Sequence, residues 1–89
     1  MKIKLELFGA SRDFSNKEFL EFNIKQKMEI KDFRKEIINY LDKNFKGNES
    51  FIKIVKNSVF CSEDNNIIND DFKIIRDQKI GIIPPIGGG

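Results

Sequence analysis

The stretch EIKDFRKEIINYLDKNFKG, residues 29–47, is where the hydrophobic period of this chain changes. Ile30, Phe33, Ile37, Leu41 and Phe45 recur every three or four residues, with Lys31, Lys35, Glu36, Asn39 and Lys43 between them. Apolar residues at that spacing fall on one face of a 3.6-residue turn, so the stretch predicts an amphipathic helix of about four turns. Glu29 and Asp32 place negative charge at its start, where the first backbone N–H groups lack partners. Lys46-Gly47 supplies a cation and a stop at its end.

On either side of this helix the period is two. Toward the N-terminus, Leu20, Phe22 and Ile24 alternate with Glu21 and Asn23, and Ile3, Leu5 and Leu7 alternate with Lys2, Lys4 and Glu6. Each run reads as a strand with one buried face. The polar segment GASRDFSNK (9–17) joins them and predicts an antiparallel hairpin. Beyond the helix, FIKIVKNSVFC (51–61) is rich in β-formers and predicts strand on both sides of a tight turn at Lys56-Asn57-Ser58. SEDNNIINDD (62–71) reads as a polar turn with Ile67 and Ile68 tucked beneath it. KIGIIPP (79–85) is a final strand stopped by two prolines, which cannot donate to a ladder.

The element order β-β-α-β-(β)-β predicts an α+β fold of the ubiquitin-like β-grasp type. Its mixed four- to five-stranded sheet carries one main helix packed on one face, and the last strand returns to the middle. A ferredoxin-like arrangement needs a second helix, for which NNIINDDFKII (65–75) is the one stretch that leaves room. Residues 1–83 form the β-grasp domain, and residues 84–89 a flexible C-terminal tail.

Composition narrows the function. The net charge is +2 with Lys and Glu interspersed, so the chain lacks the basic stripe of a nucleic-acid binder. It contains no histidine, which excludes imidazole-based proton shuttles and zinc sites. The single cysteine, Cys61, cannot form an intrachain disulfide and fits a reducing compartment; it reads as a small packing residue. The alternating N-terminus is unlike a signal peptide, and no run approaches a membrane span. The expectation is a cytoplasmic domain with neither nucleic acid nor membrane as partner. The acidic turns lack the spacing and glycine of a calcium loop, and no metal ligands or cofactor-binding residues stand out.

That leaves the terminal GIIPPIGGG (81–89). The glycines cannot cradle a phosphate, because no helix follows them. Pro84 and Pro85 favour extended geometry, so Pro84–Gly89 can reach about 20 Å from the domain. Gly87, Gly88 and Gly89 lack Cβ atoms and can thread a narrow channel with their backbone gripped. The tail reads as a means of delivering a carboxylate into another protein's active site.

With these residues in place, the sequence resembles the MoaD-like proteins, the small sulfur-carrier subunits of molybdopterin synthase. KIKLELFGASRDF resembles the family's first strand and loop, EIKDFRKEIINYL its helix, and IGIIPPIGGG its closing strand, Pro-Pro and Gly-Gly end. The resemblance implies that Gly89 is adenylated and then thiocarboxylated, with Gly88 as its required neighbour, and donates sulfur to precursor Z in molybdenum cofactor biosynthesis. It implies that Pro84, Pro85 and Ile86 orient the tail and that Gly87 is part of it. The partner-docking face would include Ile83, with Phe8 and Val59. The chain is then a non-catalytic sulfur donor, with the catalytic residues on the large subunit.

The implied partners are that large subunit, in a heterotetramer, an E1-like adenylyltransferase, and a sulfur donor such as a cysteine desulfurase. This chain binds no cofactor, and ATP is used by the activating partner. Two features depart from the family: Gly87 replaces its usual Ser, Thr or Ala, and Arg76-Asp77-Gln78 replaces its Asp-Gly-Asp-like turn. The alternatives are a β-grasp carrier for thiamine, tRNA thiolation or a tungsten cofactor, a ubiquitin-like modifier conjugated through Gly89, or a plain interaction domain with an inert tail.

Overall fold

The computed structural model describes residues 1–86. The alternating N-terminal runs form β1 (Lys2–Leu7) and β2 (Phe19–Asn23), paired antiparallel with Leu5 opposite Leu20. A two-residue strand, β3 (Met28–Glu29), leads into α1 (Ile30–Asn44), the helix expected from the period of residues 29–47. The chain then forms α2 (Glu49–Asn57), β4 (Val59–Cys61), β5 (Ile67–Ile68), β6 (Lys73–Ile74) and β7 (Gln78–Ile83). The sheet runs β2-β1-β7-β4-β5, with β7 parallel to β1 and antiparallel to β4. The last strand therefore lies in the middle, as a β-grasp requires.

One face of this sheet is covered by α1. Ile3, Leu5 and Leu7 of β1, Phe60 of β4, and Ile80 and Ile82 of β7 form a single core with Ile30, Phe33, Ile37 and Leu41. The two periods, two along the strands and 3.6 along the helix, supply the two halves of that core. The start of α1 is held from several directions. Glu29 and Asp32 form a reciprocal capping box. Phe72 and Asp70 lend their carbonyls to the N–H groups of Ile30 and Lys31, at 2.9 and 3.0 Å. The free donors of a helix's first turn are thus satisfied within the fold.

Three local expectations are corrected. FIKIVKNSVFC is not a strand pair: its first seven residues belong to α2, and the turn expected at Lys56-Asn57-Ser58 is the end of that helix. Val55 is buried, and the Phe51 ring lies 5.1 Å from Phe14 and 5.0 Å from Phe45, centroid to centroid. Those tertiary contacts outweigh the β-preference of Phe and Ile. The helix is announced instead by Asn48, whose side chain accepts from the Phe51 N–H at 3.1 Å.

Next, only Ile68 of the pair Ile67-Ile68 is tucked in, half-buried against the core. The two form the edge strand beside β4, with Ile67 opposite Cys61 and 61% exposed. The stretch 65–75 holds no helix, so the ferredoxin-like alternative is not taken up; it splits into β5 and β6, and β6 pairs with β3 in a separate two-stranded ribbon. The loop at 9–17 contains a 3-10 helix (Gly9–Phe14) that buries Ser11 and Phe14. No helix among the described residues is long and apolar enough to cross a membrane.

Candidate functional site

The face of the sheet opposite α1 follows from the alternation of the central strand. Ile80 and Ile82 point into the core, so Lys79, Gly81 and Ile83 point away from it. Ile83 is paired with Val59, which is 47% exposed, and Gly81 is paired with Cys61. Phe8 follows directly after β1, and its ring folds back over Gly81. A Cβ on Gly81 would stand 2.9 Å from Phe8 Cε2 and 2.6 Å from Cys61 Sγ. Phe8 and Ile83 are half-buried, Val59 is exposed, and Cys61 is buried between them. The three residues suggested for docking thus share the open face, at the end of β7 from which the chain leaves.

The far half of this face is charged. Lys79 pairs with Glu6 at 3.1 Å, and the Lys4 ammonium sits 4.2 Å from the centre of the Phe19 ring. The open face is therefore apolar near the chain exit and ionic away from it, with Ile67 extending the apolar half across the edge strand.

At the exit itself Pro84 is buried and the following residues are not. The Pro84 ring lies over Gly9, with Cδ 3.9 Å from the place a Cβ on Gly9 would take. Gly9 adopts φ +53°, a left-handed conformation that glycine reaches without steric cost. Pro85 is exposed, and Ile86 is 97% exposed. Gly87, Gly88 and Gly89 lie outside the described residues.

Sequence reasoning missed Gly9, Ser11, Gly81 and Ile67. A signal existed for Gly81: a glycine inside an apolar strand marks the close approach of other atoms to the backbone. Gly81→Ala should lower stability by about 1–3 kcal/mol, the usual cost of forcing atoms into a packed site. It should also push the Phe8 ring off the strand. Thermal denaturation measures the first effect and the Phe8 ring resonances the second. Cys61→Ala in the same background should recover part of the loss, because it removes the closer of the two contacts.

Comparison with known proteins bears on the fold. No family model matches the sequence, and no curated protein matches it. Among solved structures, the chain is similar to a Pyrococcus furiosus protein assigned as molybdopterin converting factor, subunit 1. The TM-score is 0.69 at 17% identity, covering 96% of this chain and 98% of that one. It is also similar to SAMP1 from Haloferax volcanii, with a TM-score of 0.68 at 10% identity over the full length of both chains. At such identities the likeness is one of fold, and the fold is β-grasp.

Proposed function

We propose that this chain is a sulfur carrier, the small subunit of a molybdopterin synthase, and that the carboxylate of Gly89 is its working group. One observation carries the reading. The central strand of the sheet leads through a buried proline to an exposed Pro85 and Ile86, beside an apolar face formed by half-buried Phe8 and Ile83 and exposed Val59. A carrier needs these two features side by side, a surface to dock with and a tail that reaches past the docking surface into the partner.

The chemistry follows from the carboxyl group. A terminal carboxyl group is an anion at neutral pH and a poor electrophile. An E1-like partner uses ATP to convert it to an acyl-adenylate, releasing pyrophosphate. The outer sulfur of a persulfide on a donor such as a cysteine desulfurase attacks the acyl carbon, and AMP leaves. A thiol then cleaves the S–S bond of the resulting acyl disulfide, being oxidised to a disulfide as the thiocarboxylate is released. The resulting thiocarboxylate is a sulfur nucleophile. In the complex with the large subunit its sulfur adds to an electrophilic carbonyl carbon of the pterin precursor, whose C=O π electrons pass to the oxygen. Water then cleaves the acyl–sulfur bond, leaving the sulfur on the pterin and regenerating the carboxylate. Gly88 and Gly87 keep the path to the reacting atom narrow, while Pro84, Pro85 and Ile86 set its direction.

The test is the intact mass of the protein produced together with its own activating enzyme. The expected species carries one sulfur in place of one oxygen at the C-terminus, and its repeated absence would sink the carrier reading. A second reading shares the same geometry: a ubiquitin-like modifier, in which a lysine amine rather than sulfur attacks the adenylate. The nearly equal likeness to the two solved structures keeps it in view. A ladder of lysine conjugates in pull-downs, in place of a single larger subunit, would select it.

A further inference from the structure

The short 3-10 helix at Gly9–Phe14 touches both halves of the site. Ser11, wholly buried, donates its hydroxyl to the carbonyl oxygen of Phe8 at 2.6 Å, and its backbone N–H donates to the same oxygen at 3.1 Å. One carbonyl thus accepts two hydrogen bonds from one residue, which holds the chain at Phe8–Gly9 in place. Two consequences converge there. The Phe8 ring is set down over Gly81, and Gly9 is held at φ +53° with the Pro84 ring resting on its open face. Phe8 belongs to the apolar docking face, and among the described residues Pro84 is the last buried one, followed by exposed Pro85 and Ile86.

We infer that Ser11 and Gly9 are positioning residues for the tail: together they form the seat of Pro84 and the clamp on Phe8, and so fix the exit direction of the chain relative to the docking face. The inference rests on the carrier reading for its functional consequence, though not for its geometry. Neither residue touches the reacting carboxylate. Each acts through another, Ser11 through the Phe8 carbonyl and Gly9 through the Pro84 ring. A tail aimed by a rigid seat enters a partner's channel with less ordering left to do, and small errors of aim are costly to a reaction that depends on placement.

The test combines a structural and a kinetic arm on the full chain. In the first, Ser11→Ala and Gly9→Ala are compared with the unchanged protein by NMR. Both variants should lose the close proton contacts between Gly9 and Pro84 and the ring-current shift of Phe8 on the Gly81 α-protons. The methyl signals of Ile80 and Ile82 in the core should stay in place and show that the sheet is folded.

In the second arm, the host's E1-type activating enzyme, ATP and labelled pyrophosphate report adenylation of the tail. Loss of one hydrogen bond's worth of positioning should lower the turnover of Ser11→Ala by about 3- to 10-fold. A merely structural role would leave the folded variant's rate unchanged once melting is accounted for. Unaltered Gly9–Pro84 contacts in both variants would overturn the inference, as would altered contacts with an unaltered rate. If the unchanged protein itself supports no pyrophosphate exchange, the carrier reading fails and takes the proposed consequence for catalysis with it. The NMR arm still decides whether Ser11 holds the Pro84 seat.

Discussion

Deleting Gly88 and Gly89 should reduce thiocarboxylate formation to background while leaving the fold intact. The described fold closes at Pro84, which is buried over Gly9, whereas Ile86 makes almost no contact with the body. The core is built from residues up to Ile82, so the melting temperature should not change. The chemistry is a different matter. An extended residue spans about 3.3–3.6 Å, so the truncated carboxylate would stop about 7 Å short of the place where the full tail delivers it. A misplacement of about 1 Å can already cost a hundredfold in a reaction that depends on alignment. Adding residues after Gly89 should have the same result for another reason, since the carboxyl group is then buried in a peptide bond and cannot be adenylated. Intact-mass analysis of both variants, each produced with the activating enzyme, checks the expectation. A C-terminally extended chain that still supports cofactor synthesis would overturn it.

The parts of the fold that were legible in the sequence are those whose pattern is local and long. The strands β1 and β7 and the helix α1 each repeat their period several times, and the core they form is the one the alternation predicts. The helix α2 was not legible because it spans nine residues, and a run such as Phe-Ile-Lys-Ile-Val-Lys suits a strand and a helix about equally well. What decides it lies elsewhere in the chain, where Phe14 and Phe45 offer their rings to Phe51. The strand β5 escaped for a related reason: two residues carry no period, and only pairing with β4 makes them a strand. At the candidate site, Phe8, Val59 and Ile83 are named because the resembled family docks through an apolar patch near its tail, with the strand's alternation supporting Ile83. The residues that arrange them could not be named, because a serine and two glycines in a loop and a strand look ordinary until the Phe8 ring and the Pro84 ring are placed on them.

Arg34 belongs to the same class, and it supports the second large expectation. In the sequence it is one more cation on the polar side of α1. In the fold its guanidinium donates to the carbonyls of Val55 and Ser58, at 2.6 and 2.8 Å, and to the Asp70 carboxylate at 2.8 Å, and it lies 4.8 Å from the centre of the Phe60 ring. Val55 and Ser58 are both buried and stand at the end of α2, where carbonyls lack partners within the helix. One planar, forked cation therefore joins α1, the end of α2, the start of β4 and the loop that caps α1.

Arg34→Ala would leave the Ser58 carbonyl without its donor and the Val55 carbonyl with only the Ser58 N–H at 3.3 Å, and should cost about 3 kcal/mol, as hydrogen bonds from a charged donor to buried acceptors usually do. For a domain of this size that corresponds to a fall in melting temperature on the order of 15 °C. Arg34→Lys should recover part of the loss, because one ammonium can replace the nitrogen that donates to both carbonyls but not the second nitrogen on Asp70 or the planar stack on Phe60. Asp70→Asn should cost less than about 1 kcal/mol, since Asp70 is 59% exposed and its pairing is largely screened by water.

The ordering of these three variants is the informative part. If Asp70→Asn were as harmful as Arg34→Ala, the ion pair and not the carbonyl pair would be the reason for the arginine. Amide exchange locates the damage within the fold. Ser58 leads directly into β4, which carries Val59 on the open face and pairs with Ile83 next to the tail. Under native conditions the amides of Val59–Cys61 should exchange faster in Arg34→Ala than those pairing β1 with β7, which places the loosening on the side of the sheet that carries Val59 and Ile83. A uniform increase across all strands would mean instead that the arginine stabilises the fold as a whole and bears on the site only through it.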